Sequence, residues 1–98
     1  MKIDEAIGDS TECINLFPLD GKLYENRAEI YLQKGQEEKA LHDLTMYTFL
    51  VDYKNIPESV HQKMNSLQQS IGLRLAAREM ERRKKDPNYV NSIFLLLL

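Results

Sequence analysis

The chain has 98 residues, 29% of them charged, a formal net charge of −2 and one cysteine. A chain of this size has room for at most one domain and buries little over ~60% of the surface it exposes when unfolded. A lone Cys13 excludes an internal disulfide and suits a reducing, intracellular compartment, and the longest apolar run, Ile93 to Leu98, is far short of the ~20 residues a spanning helix needs.

The first predicted element runs from Ile3 to about Leu16. Ile3, Ala6, Ile7, Ser10, Cys13, Ile14 and Phe17 recur at three- and four-residue steps, the period of an amphipathic helix, which places Cys13 on the packing face as a small buried residue. Pro18, Asp20 and Gly21 break the pattern. A second helix is expected from about Lys22 to Lys34, with Leu23, Tyr24, Arg27, Ala28, Tyr31 and Leu32 on its packed sides and Gly35 as a left-handed terminator. A third spans about Glu37 to Asp52 and packs Ala40, Leu41, Leu44, Tyr47, Thr48 and Val51. Ala28 and Ala40 let paired helices approach closely; a bulkier side chain at either is expected to cost on the order of 1–3 kcal/mol through overpacking.

Pro57 suits a helix's first turn, and from there Val60, Met64, Leu67, Ile71 and Leu75 describe one long fourth helix that weakens towards Lys85, with a bend expected near Gly72. Arg74, Arg78 and Arg82 form a four-spaced stripe along it. Asp86-Pro87-Asn88 ends it, and Tyr89 to Leu98 reads as a short apolar helix or extended segment. Residues 93–98 are expected to pack on the fourth helix, so their deletion is expected to lower the melting temperature. Charge is uneven: residues 1–71 carry 7 basic and 12 acidic side chains, residues 72–98 carry 6 and 3. This favours a polar or basic partner for the front and an acidic one for the tail.

Tyr24, Ala28, Tyr31, Gly35, Ala40, Leu44 and Tyr47 fall where a tetratricopeptide repeat places its large and small packing residues, and Ala6, Ser10, Cys13 and Pro18 lie one 34-residue period before Ala40, Leu44, Tyr47 and Asp52. The expected fold is all-α. About one and a half repeats (1–54) are followed by an extension (55–98) made of a long capping helix and a short C-terminal helix. Because repeat arrays usually need about three or more units, either the extension caps the stack or the chain is a fragment or oligomer.

Three runs carry a narrower resemblance: Lys22-Leu23-Tyr24-Glu25-Asn26-Arg27-Ala28, Lys39-Ala40-Leu41-His42-Asp43-Leu44-Thr45 and Tyr53-Lys54-Asn55. With Gly72, Ala76 or Ala77, Arg82 to Lys85, Pro87 and Tyr89 to Phe94 following in order, the chain resembles the clamp-domain region of the large repeat-containing receptor of the mitochondrial outer-membrane translocase. That resemblance implies a cytosol-facing module that takes the C-terminal tails of heat-shock chaperones, or mitochondrial precursor proteins. In such relatives Lys, Asn and Arg side chains on successive groove-facing helices hold the tail carboxylate, since a terminal carboxylate needs converging cationic and amide donors. Lys22 matches the third-repeat lysine. Asn26 stands where that register has arginine, whereas a second-repeat register expects asparagine there. In either register the first-repeat lysine and asparagine would precede Met1, so a complete clamp is expected to be absent, along with the membrane anchor and the downstream precursor-binding array.

The candidate peptide groove comprises Lys22, Asn26, Arg27, Glu29 and Gln33; the same residues also read as solvated surface positions. The Arg82-Arg83-Lys84-Lys85 cluster could attract anionic lipid or nucleic acid, but Glu79 and Glu81 dilute it and cations suit a helix C-terminus, so no nucleic-acid partner is expected. His42 and His61 lack a second ligand at metal spacing, His42 beside Asp43 reads as a surface pair, and no phosphate loop or catalytic pair is present in the sequence. No enzyme, cofactor or metal is expected. The alternative to a peptide binder is a non-catalytic assembly subunit, a homo-oligomer included, that pairs exposed helix faces. A binder is expected to be monomeric with affinity that falls as salt rises, and an assembly element to be dimeric or larger, since Ile3, Ile7 and Ile14 lack a covering helix on one side.

Overall fold

The computed structural model describes residues 2–86 and 88. Among these residues there are helices and no strands: α1 (Lys2–Leu16), α2 (Gly21–Gln33), α3 (Glu37–Leu50), a 3₁₀ turn (Tyr53–Asn55) and α4 (Glu58–Lys84). The chain divides into two compact units, Met1–Gln68 and Gln69–Leu98, with the division inside α4. Ile56, Val60 and Leu67, from the segment expected as the extension (55–98), belong to the core of the first unit. The expected short C-terminal helix and the capping role of 93–98 lie outside the described residues.

Turn chemistry sets the helix boundaries of the first unit. The Asp20 carboxylate accepts a hydrogen bond from the Lys22 amide and so caps α2, satisfying one of the helix's orphan donors. Tyr24 donates its hydroxyl proton to the Pro18 carbonyl at 2.9 Å, fixing the α1–α2 turn from within α2. At the other end of α2, Gly35 has φ +79°. The Gln36 amide bonds to the Tyr31 carbonyl and the Gly35 amide to the Leu32 carbonyl, the paired bonds of a Schellman terminator. Asp52 caps the 3₁₀ turn through the Lys54 amide, an element the sequence pattern did not separate from its surroundings. Pro57 sits immediately ahead of α4 and its carbonyl accepts from the Val60 amide.

α2 and α3 form the most intimate pair, and α1 packs chiefly on α2. Ala28, Ala40 and Leu44 are wholly buried, Tyr24 and Tyr47 nearly so, and Ile14, Ile56, Val60 and Leu67 complete the core. The two alanines permit the close approach expected of them. At Gly21 the approach is closer still: a Cβ there would lie 2.7 Å from Val51 Cγ2 and 3.2 Å from Leu50 Cβ. The start of α2 therefore rests directly on the end of α3.

Two expectations about packing are corrected. Of the apolar residues assigned to the packing face of α1, Ile14 alone is buried; Cys13 is exposed and Phe17 is 63% exposed. α2 covers the Ile7–Ile14 side of α1, and the Ala6–Cys13–Phe17 side has no helix over it among the described residues. On α4 the apolar period buries Val60 and Leu67 and half-buries Met64, but Leu75 is exposed. α4 runs without interruption through Gly72.

Candidate peptide-binding face and its supporting ion pair

A helix advances about 100° per residue, so side chains three and four apart share a face. Lys22, Asn26, Glu29 and Gln33 are spaced in that way, and all four are exposed along one stripe of α2. At its head the Lys22 ammonium pairs with Glu25, whose hydrogen bond holds the lysine above its ordinary pKa and hence protonated at neutral pH. Midway, Glu29 pairs with Lys63 on the first turns of α4, so the stripe is flanked by α4 and gains a second ammonium that the sequence reading did not include. At its foot, next to Gln33, Lys34 reaches back to Asp4 of α1 and holds that carboxyl below its usual value. The result is a line of amide and ammonium donors interleaved with carboxylates, able to hydrogen-bond an extended polypeptide along its backbone and at its carboxylate.

Arg27 is not part of this stripe. One residue past Asn26, it turns towards α1 and α3, where its Nε and Nη2 donate to the two oxygens of Asp43 at 2.8 Å each. Nη1 donates to Thr11 Oγ1 at 3.1 Å, and that hydroxyl donates to the Ile7 carbonyl at 2.8 Å. The guanidinium also lies 6.0 Å from the Tyr24 ring centroid and 5.6 Å from that of Tyr31, within the range of cation–π attraction. One side chain thus ties three helices together. The hydrogen bonds it donates to Asp43 raise the arginine's already high pKa further, so it stays charged throughout the accessible range. The sequence reading put Arg27 both on a packed side and in the groove; the structure places it on the packed side.

Asp43 is 1% exposed and is, with Leu44, one of the largest fully buried side chains among the described residues. The sequence reading paired it with His42 on the surface. Its position offered a signal: Ala40, Asp43, Leu44 and Tyr47 fall at i, i+3, i+4 and i+7, the inward face of α3, and an acid there demands a cationic partner. Beside this pair an open pocket of about 340 Å³ is lined by Arg27, Tyr31, Glu38, Lys39, His42 and Asp43. Lys39 lies over the Tyr31 ring at 5.7 Å.

Among the described residues, no group of three His, Cys, Asp or Glu is placed to hold a metal ion, and no helix is long and apolar enough to cross a membrane. The Arg82–Lys85 end of α4 is solvent-facing, with Arg82 and Arg83 both bonded to Glu79. No family model, no curated protein and no solved structure matches this chain.

Proposed function

We propose that the protein is a polypeptide-binding module of tetratricopeptide-repeat type that takes a peptide along the Lys22–Asn26–Glu29–Gln33 stripe of α2. The observation that carries the reading is that stripe, four exposed hydrogen-bonding side chains on one helix face bordered by Lys63 of α4. Spacing supports the repeat: α1, Lys2–Leu16, carried forward 34 residues gives 36–50, and α3 spans Glu37–Leu50. In a stack of such hairpins the first helix of each repeat lines the concave side, which makes α2 and the start of α4 adjacent lining helices.

The ligand chemistry follows from the donors. Lys22 and Lys63 supply charge and Asn26 and Gln33 supply amides, the donors that a terminal carboxylate and an extended backbone need. A peptide C-terminus fits, of the kind found on heat-shock chaperone tails, and the sequence resemblance to mitochondrial import receptors would imply a module on the cytosolic side of the outer membrane. The role is non-catalytic. Amide chemical-shift mapping with a chaperone-tail peptide tests it: perturbations centred on Lys22, Asn26 and Gln33 are expected, and perturbations confined to α1 or the end of α4 would refute it.

A second reading, an assembly subunit that pairs exposed helix faces, is favoured by the Ala6–Cys13–Phe17 side of α1, which no helix covers among the described residues.

A further inference from the structure

Among the described residues, two helix faces complement each other and neither has a helix over it. On α3, Ala40, Leu44 and Tyr47 are buried in one core with Tyr24, Ala28 and Tyr31 of α2, a large–small–large row spaced four and three residues apart. The α1 residues one 34-residue period earlier, Ala6, Ser10 and Cys13, form the same row with no helix over it: Ala6 and Ser10 are half-buried, Cys13 is exposed, and Phe17 beyond them is 63% exposed. α4 carries a second large–small–large row at the α2 spacing, Leu73, Ala77 and Met80. It too is open to solvent, Leu73 at 72% and Met80 at 47%.

Charge pairs the same two faces. α1 has Lys2 against Asp4, Glu5, Asp9 and Glu12, net −3, and Glu5, Asp9 and Glu12 are exposed beside the Ala6–Cys13 row. Residues 69–84 of α4 have Arg74, Arg78, Arg82, Arg83 and Lys84 against Glu79 and Glu81, net +3. Two copies meeting through identical faces, α1 on α1 or α4 on α4, would set like charges against each other, whereas α1 on α4 sets opposite charges together.

From this we infer that the chain associates with a second copy of itself, the Ala6–Ser10–Cys13 face of α1 in one molecule docking on the Leu73–Ala77–Met80 face of α4 in the other. α4 then supplies to α1 what α2 supplies to α3 within the chain. The inference extends the assembly reading and uses none of the residues of the α2 stripe, so association leaves peptide capture open, and oligomeric state by itself does not separate the two readings.

Two variants test it, each altered at exposed positions and checked for folding by circular dichroism. One carries Asp9→Lys and Cys13→Lys on α1; the other carries Leu73→Glu and Met80→Glu on α4. In sedimentation velocity the wild type is expected to exceed the 11.4 kDa monomer mass in a concentration-dependent way, and raising salt from low to physiological levels is expected to weaken association roughly tenfold through screening. Each variant alone is expected to stay monomeric. An equimolar mixture is expected to form a species of twice the monomer mass, because one intact α4 face then meets one intact α1 face. A monomeric wild type overturns the inference. So does a single variant that still self-associates, which would mean same-face pairing, and so does a mixture that stays monomeric. Titration of the tail peptide against the wild type and both variants reads the α2 stripe separately, and loss of peptide binding there leaves the assembly result standing.

Discussion

Replacing Arg27 with alanine tests whether this side chain holds the fold or serves a ligand. The substitution leaves the Asp43 carboxylate, 1% exposed, without the guanidinium fork that donates to both its oxygens. Removing one partner of a buried pair costs about 3–5 kcal/mol, because the remaining charge is desolvated and unpaired. A unit of this size has a total stability of roughly 3–10 kcal/mol at about 0.05–0.15 kcal/mol per residue, so Arg27→Ala is expected to be largely unfolded or close to it. The milder Arg27→Lys keeps the charge and loses the two-pronged geometry, with an expected cost of about 1–3 kcal/mol. Replacing both partners together, Arg27→Met with Asp43→Leu, removes the buried charge altogether and is expected to recover most of the stability lost by Arg27→Ala. Urea unfolding followed by far-ultraviolet circular dichroism measures the wild type and these three variants, and adding Arg27→Met and Asp43→Leu singly completes the cycle that gives the coupling energy. If Arg27→Ala unfolds at the wild-type urea midpoint, the pair does not hold α1, α2 and α3 together and this account of the first unit is wrong.

Other perturbations read separate parts of the structure. Leu44, wholly buried, is expected to cost about 2–5 kcal/mol when cut to alanine, measured as a fall in the urea midpoint with unchanged slope; a loss below ~1 kcal/mol would contradict its central place in the core. Gly21→Ala puts a methyl 2.7 Å from Val51 Cγ2 and is expected to destabilise by about 1–3 kcal/mol, whereas Gly8→Ala, where a Cβ meets nothing within 4 Å, is expected to be neutral or to stabilise by up to ~1 kcal/mol through helix propensity. Glu79 is held at a pKa of about 2, chiefly by its hydrogen bond to Arg82 and then by that to Arg83. A depressed carboxylate contributes stability that is present above its unfolded value of 4.5 and lost as pH falls towards 2. Helicity at the end of α4 is therefore expected to decline over that window, and to decline less in a Glu79→Gln variant, which lacks the pairing at every pH. An identical acid titration of helicity in both proteins would remove this assignment.

How far the sequence could be read depended on what each signal encodes. Helix starts and stops came through well because they are local: Asp20 and Gly35 act on neighbours within a few residues, and α2 ends at the glycine that the pattern named. The inward rows of α2 and α3 came through because Ala28, Ala40, Leu44 and Tyr47 repeat at helical spacing and then meet each other. The α1 face did not, since periodicity shows which side of a helix is apolar and not whether another helix covers it. Cys13 was misplaced for that reason, and so was Leu75, where the apolar period outlasts the packing. The site was legible only in part. Lys22, Asn26, Glu29 and Gln33 share a face by spacing alone, but Arg27 and Asp43 lie sixteen residues apart, and although the helical period puts Asp43 on the inward face of α3, no local pattern names its partner. Lys63 entered the stripe for a similar reason, through a contact between α2 and α4 that no local pattern reports.

Peptide capture along α2 is the central claim, and fluorescence anisotropy tests it most directly. A labelled chaperone C-terminal tail peptide is titrated with the folded protein, with its free carboxylate and again amidated. Saturable binding is expected for the free carboxylate, weakening as salt rises and lost on amidation or on Lys22→Ala. Binding that is absent in a folded protein, or that persists unchanged after amidation and Lys22→Ala, would contradict the account.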